Sequence, residues 1–162
     1  MSKSTKPQLC SLGEWAVKGT TDIYLAKTRA EAEQAVDKVF APNVHSWLNG
    51  KRLSKDQLYK LLLDLRHPDD SEESLGFYWS DYVHAAIDPT TERDGTLCGV
   101  YVVTNVLLPH PQTGELVPHI RRKAISIVIE SQSQDLSIDS RRVVELVTVA
   151  RNIPQEQAKA AE

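Results

Sequence analysis

The sequence predicts an α+β fold in which N-terminal helices pack on a strongly curved sheet. Three observations carry this. Capping-box patterns at Ser11 with Glu14, Thr28 with Glu31 and Ser54 with Gln57 announce three helices before the chain turns β-rich. Residues 39–66, VFAPNVHSWLNGKRLSKDQLYKLLLDLR, hold the end of a helix, a short strand, an Asn-Gly turn and the start of a capped helix. From about Leu75 to Ala150 the chain reads as long antiparallel strands. A helical layer that precedes such a sheet must bury its apolar face, and a curved sheet wrapped over it gives a cone.

Each element follows from local chemistry. The first helix is expected from about Leu12 to Leu25, with Trp15, Ile23 and Leu25 available for burial and with Gly19 and Thr20-Thr21 weakening or breaking it. A second, from about Ala30 to Phe40, places Ala32, Ala35, Val36, Val39 and Phe40 at helical spacing, and Pro42 stops it. Leu58, Leu61, Leu62 and Leu65 form the stripe of a third helix over residues 55–65. Val44 to Leu48 is a short strand, closed by Asn49-Gly50, which supplies the positive φ of a tight turn. Longer strands are expected over about Leu75 to Ile87, Leu97 to Leu108, Ile120 to Glu130 and Val143 to Val149, with Gln112-Thr113-Gly114-Glu115 as a hairpin tip. The path through Ser131 to Asp135 is open, and the tail after Pro154 is frayed or helical.

At 162 residues one domain is expected, with a core over about 12–149 and flexible tails at 1–10 and 154–162. A net charge of −3 leaves no basic field for nucleic acid. The one basic run, Arg121-Arg122-Lys123, reads as a solvated rim that alternates faces if it lies on a strand. The N-terminus lacks the apolar run of a secretory signal, and no stretch approaches the length of a membrane span, so a soluble cytoplasmic protein without membrane partners is expected. Cys10 and Cys98 are too few for a disulfide framework and read as reduced, Cys98 as a small apolar strand residue.

The order of elements, VFAPNVHSWLNGKRLSKDQLYKLL together with the turn LLPHPQTGELV, resembles the nuclear transport factor 2-like (NTF2-like) superfamily, and within it the SnoaL-like polyketide cyclase group. The resemblance spans about Leu12 to Val149 and implies an α+β cone with a pocket between helices and sheet, often a homodimer through the outer sheet face. Members include isomerases, epoxide hydrolases, cyclases, dehydratases and binding modules, so the fold alone does not choose the activity. Where members resembling ketosteroid isomerase carry a carboxylate near the end of the first strand, this chain has Ser46-Trp47-Leu48-Asn49. The Asp-Arg-Asp set of limonene-epoxide-hydrolase-like sites has no assignable match.

Strand alternation nominates site residues. On the first strand His45, Trp47 and Asn49 share a face. On the next, Tyr78, Ser80, Tyr82 and His84 share one face while Phe77, Trp79, Asp81 and Val83 share the other, and either face could line the pocket. With the first face inward, His84 is the acid/base candidate and Tyr82 the group that steadies an oxyanion. With the second inward, Asp81 is the base, its pKa raised by Trp79 and Phe77. Trp15 and Tyr101 complete an aromatic lining for a flat apolar ligand. His110 and His119 flank the hairpin tip, but two histidines without a third ligand do not make a metal site, and no metal or cofactor is expected. Two function classes follow: a cofactor-independent isomerase, cyclase or lyase working by proton transfer on a small apolar carbonyl compound, or a non-catalytic ligand-binding or dimerisation module.

Overall fold

The computed structural model describes residues 9–160; residues 1–8 and 161–162, with the parts of the expected tails that fall on them, lie outside the described residues. Helices α1 (Leu12–Leu25), α2 (Arg29–Val39) and α3 (Lys55–Leu63) pack on one six-stranded sheet of β1 (Phe40–Leu48), β2 (Lys51–Leu53), β3 (Gly76–Ala86), β4 (Gly95–Pro109), β5 (Leu116–Ser131) and β6 (Arg141–Pro154). The strand order is β2-β1-β6-β5-β4-β3, parallel only between β1 and β6. A short α4 (Gln155–Lys159) follows β6 in the stretch after Pro154 that was expected to be frayed or helical.

The caps work largely as the residue types dictate. Ser11 and Ser54 each accept from the backbone N–H three residues on, while Glu14 and Gln57 accept from the cap's own N–H. At α2 only half of the box forms: Thr28 accepts from Glu31 N–H, but the Glu31 carboxylate accepts from Lys27 N–H instead. The expected break in α1 does not occur. Thr20 and Thr21 turn their hydroxyls back onto the Ala16 and Val17 carbonyls, and Gly19 stands where a Cβ would fall 2.7 Å from Val39. Its missing side chain lets α1 and α2 pack closely.

Pro42 does not separate helix from strand by a loop. α2 passes directly into β1 at Phe40, and the register against β6 shifts between Phe40 and His45 to absorb the proline. Asn49 and Gly50 adopt φ of 49° and 80°, the turn geometry their residue types favour. Each of the pairings β1–β6, β3–β4, β4–β5 and β5–β6 carries a register shift, and these bulges bend the sheet over the helices. The core lies in the resulting concavity, with Leu12, Ile23 and Tyr24 of α1, Val36 of α2 and Leu58 of α3 against Leu97, Val103, Ile127, Ile129 and Val143 of the sheet.

Arg141 ties the start of β6 to the chain entering α1 and to the loop between β3 and β4. Its guanidinium is fully buried, donates to both carboxylate oxygens of Asp139 and to the Cys10 and Glu92 carbonyls, and lies 5.6 Å from the Trp15 ring centre. Burial by itself would raise the Asp139 carboxyl, but the hydrogen bonds and charge of Arg141 outweigh it and hold the carboxyl below its ordinary range. Arg141→Met orphans two carbonyls and a carboxylate, and is expected to lower the unfolding free energy by about 2–4 kcal/mol in urea titrations at neutral pH. Because the folded carboxyl is depressed, the Asp139 contribution is present above the ordinary carboxyl range and is lost as pH falls through the folded value. The wild-type minus variant difference should therefore shrink in acid.

Candidate functional site

The inner sheet face carries a polar centre built from strand parity. Trp79 pairs with Tyr101 and Tyr101 with Lys123, so these three are cross-strand neighbours facing the helices. Lys123 is in phase with Ile125, Ile127 and Ile129, the apolar inner residues of β5, and is only 2% exposed. Tyr24 descends from α1 onto this row. Its ring stacks on Phe77 at 5.1 Å between centres with 11° between planes, and its oxygen accepts a 2.8 Å hydrogen bond from Lys123 Nζ. The Tyr24 and Tyr101 hydroxyls are 3.2 Å apart, and the ammonium lies 5.4 Å and 5.7 Å from the two ring centres.

Burial, then the neighbouring Tyr24 oxygen, pushes the Tyr101 phenol well above its ordinary value, so it is a neutral donor at physiological pH. Arg121, two residues before Lys123 and also turned inward, donates through Nε to Asn152 Oδ1 at 2.7 Å, and burial lowers its pKa. The expectation of a solvated rim at 121–123 is thus corrected. Only Arg122 is exposed, because alternation on β5 sends Arg121 and Lys123 to the core side.

Beside this centre lies a cavity of about 30 Å³, lined by Tyr24, Tyr101, Lys123 and Thr148, by the expected site residue Trp47, and by apolar side chains of α1, α3, β1, β5 and β6. It holds roughly two waters. His84, Tyr82 and Asp81 do not line it.

The two expected faces of β3 are joined by a bulge. Trp79 pairs with Tyr101 and Asp81 with Val100, leaving Ser80 as the extra residue. Phe77 and Trp79 face inward before the bulge, and Tyr82 and His84 face inward after it. Asp81 is exposed, its Oδ1 accepting from Tyr82 N–H. Trp79 and Tyr82 meet edge to face at 5.7 Å, and a Cβ on Gly13 of α1 would fall 2.5 Å from His84 Nδ1 and 2.9 Å from the Tyr82 ring. His84 Nε2 is 3.9 Å from Glu92 Oε2, and Glu92, at φ 52°, also accepts the Leu12 N–H at the start of α1.

Apart from Trp47, which also borders the cavity, the remaining expected site residues lie elsewhere. His45 and Trp47 pair with Glu145 and Val147, on the convex face, where Arg52 bonds the His45 ring at 2.6 Å and covers the Trp47 ring at 5.6 Å. Asn49 ties the turn to β6 through both amide atoms on Ala150. Trp15 packs under Arg141, and His119 is buried with its Nδ1 2.8 Å from the Val117 carbonyl. Sequence reading missed Tyr24, Lys123, Arg121 and Glu92. For the two β5 cations the signal was present, since they share parity with Ile125, Ile127 and Ile129.

The convex face carries the opposite set. Val83, Cys98, Ser126, Val147 and Trp47 form one row across β3, β4, β5, β6 and β1, and Asp81, Val100, Ala124 and Val149 form the next. Val83, Val147 and Val149 are 70%, 41% and 62% exposed. Cys98, expected as a small apolar strand residue, lies on β4 and is exposed in the middle of this surface.

A spectrophotometric titration of the tyrosines tests the interior. Tyr59, partly buried and hydrogen-bonded to Asp37, is pushed up to about 12, and burial raises the Tyr101 phenol well above its ordinary value. Tyr101→Phe should remove one alkaline step from the high-pH end of the titration.

No protein-family model and no curated protein matches the sequence. Solved structures do match in fold. An NTF-2-like protein of unknown function from Pseudomonas aeruginosa is 12% identical over 88% of this chain and 99% of its own, with a TM-score of 0.56. The hexachlorocyclohexane dehydrochlorinase LinA-type3 from Novosphingobium barchaimii is 9% identical over 88% and 89%, with a TM-score of 0.55. The association domain of C. elegans CaMKII is 12% identical over 84% and 95%, with a TM-score of 0.54. Its helices packed on a curved six-stranded mixed sheet give this chain the NTF2-like α+β cone fold.

Proposed function

We propose that this chain is a non-catalytic self-association module, an NTF2-like domain of SnoaL-like pattern whose convex sheet face joins a second copy of itself. The observation that carries the reading is the contrast between the two sheet faces. The concave side keeps only about 30 Å³ open, room for water and not for a flat apolar substrate, while the convex side leaves Val83, Val147 and Val149 in solvent.

The second copy is favoured over an unrelated partner by the charges that bracket the apolar rows. Arg122 pairs with Arg151 at one end of the face, whereas at the other Glu145 lies beside the Glu130–Arg142 pair, so that end is net negative by one charge. A two-fold axis running across the strands lays the arginine end of each protomer on the glutamate end of the other and the valine rows on each other. This self-complementarity is what an isologous dimer requires. Structural likeness to an association domain is in keeping with it.

Light scattering during size exclusion tests the reading. The wild type should run as a dimer at micromolar concentration, and Val147→Glu should raise the dissociation constant about a hundredfold with an unchanged far-ultraviolet spectrum. A wild-type protein that stays monomeric at hundreds of micromolar overturns it.

One observation favours a second reading, proton transfer on a small enolisable carbonyl compound. The Ser80 bulge turns Tyr82 and His84 inward, and Glu92 lies 3.9 Å from the imidazole, an arrangement that suits an acid/base pair. Enzyme-dependent deuterium incorporation into a panel of enolisable ketones in D2O, lost in His84→Gln, is its expected signature. Incorporation no faster than buffer rules it out for that panel.

A further inference from the structure

Arg66 carries a desolvated charge that the fold leaves poorly matched. Its side chain is 10% exposed, and its Nε–H is buried with no acceptor among the described residues. The nearest carboxylate is Asp69, whose Oδ1 lies 3.9 Å from Nη2, beyond hydrogen-bond reach, and already accepts the Arg29 N–H at the start of α2. A guanidinium so enclosed is normally held by a close carboxylate and by carbonyls, as Arg141 is in this molecule. An orphaned buried donor needs an explanation, and an acceptor supplied from outside is one.

The side chain lines a pocket of about 270 Å³ between the α1–α2 turn and the loop from α3 to β3. No strand residue contributes to its walls, and it shares only Tyr24 with the small cavity beside Lys123. The loop wall is fixed in advance by one point of the sheet. His67 Nε2 lies 2.7 Å from the Asn105 carbonyl, and Asn105 Nδ2 donates to Glu73 Oε2 and to the Ser74 carbonyl. Asn105 itself sits at φ 60° where the β4–β5 register shifts.

The α1 side of the pocket asks for a cation. The helix ends at Ala26 with no basic residue in its last turn, and among the described residues no donor reaches the Tyr24 or Leu25 carbonyl. Around the whole pocket Lys27 and Arg66 face Asp69 and Glu73, two charges of each sign. A ligand of one charge is drawn by one pair and repelled by the other, whereas a ligand that carries both signs matches both.

We infer that this pocket is a binding site for a small zwitterion of the α-amino-acid class, its carboxylate on the Arg66 guanidinium and its ammonium against the end of α1 and Glu73. The bound carboxylate gives Arg66 the acceptor that the fold withholds. The site is independent of the convex face and of the His84–Glu92 pair. Because it spans the α1–α2 turn and the α3–β3 loop, binding stabilises the folded domain.

The test is calorimetric titration of the wild-type protein at neutral pH and constant ionic strength with glycine and L-alanine, and with propionate and ethylamine, each of which keeps one of the two charges of alanine. Saturable binding of L-alanine is expected, with propionate and ethylamine each at least about tenfold weaker. Arg66→Gln should reduce alanine to the level of ethylamine. Glu73→Gln, which keeps an acceptor for Asn105, should weaken alanine about tenfold. If Arg66→Gln fails to fold, the wild-type panel and Glu73→Gln still decide. No saturable heat with glycine or L-alanine in the wild type, a propionate or ethylamine affinity equal to that of alanine, or an unchanged alanine affinity in either folded variant overturns the proposal.

Discussion

The contact between Tyr24 and the inner face of the sheet organises this molecule. One α1 side chain stacks on Phe77 of β3, reaches the Tyr101 hydroxyl of β4 and accepts from Lys123 of β5, so a single residue fixes the helix layer against three strands. Aromatic rings supply the area that makes this possible, and the polar tips give it direction. Once Tyr24, Phe77, Trp79 and Tyr101 occupy the concavity, little volume remains, and the sheet must curve around them. The register shifts in β3, β4, β5 and β6 are the backbone's answer to that demand.

The same packing separates the roles of the two sheet faces. Alternation along β5 sends Lys123, Ile125, Ile127 and Ile129 inward and Arg122, Ala124, Ser126 and Val128 outward. The polar chemistry therefore lies on the side with almost no room, and the exposed valines lie on the side with no helix. An open enzyme cone would have the reverse balance on its inner face, with small or removable side chains around its reactive groups. Here the inner face is closed by rings, and the convex surface carries the exposed valines.

Much of the architecture was legible in the sequence, because it is written in local chemistry. The caps at Ser11 and Ser54, the Asn49-Gly50 turn and the hairpin at Gln112–Glu115 each depend on residues a few positions apart. The site was less legible, for reasons that are physical. Ser80 carries no mark of a bulge, yet it moves Tyr82 and His84 to the side of Phe77 and Trp79 and turns Asp81 to solvent, so simple alternation separated residues that the fold unites. Arg121 and Lys123 looked like a solvated run because charge outweighed parity in the reading, although the isoleucines that follow already set the phase. Tyr24 meets Tyr101 and Lys123 across 77 and 99 residues of chain, and Glu92, though close in sequence to His84, reaches the Leu12 N–H across 80, separations that no motif spans.

The claim that joins these observations is that the convex face works by meeting its own copy while the concave face is packed. Isotope-filtered nuclear Overhauser spectra of a mixture of methyl-labelled and unlabelled protein address it without altering the surface. Intermolecular contacts should appear at the methyls of Val83, Val100, Val147 and Val149 and be absent from the buried methyls of Ile127 and Ile129. A dimer whose intermolecular contacts map to the helical side, or the lack of any such contacts at millimolar concentration, would contradict the account.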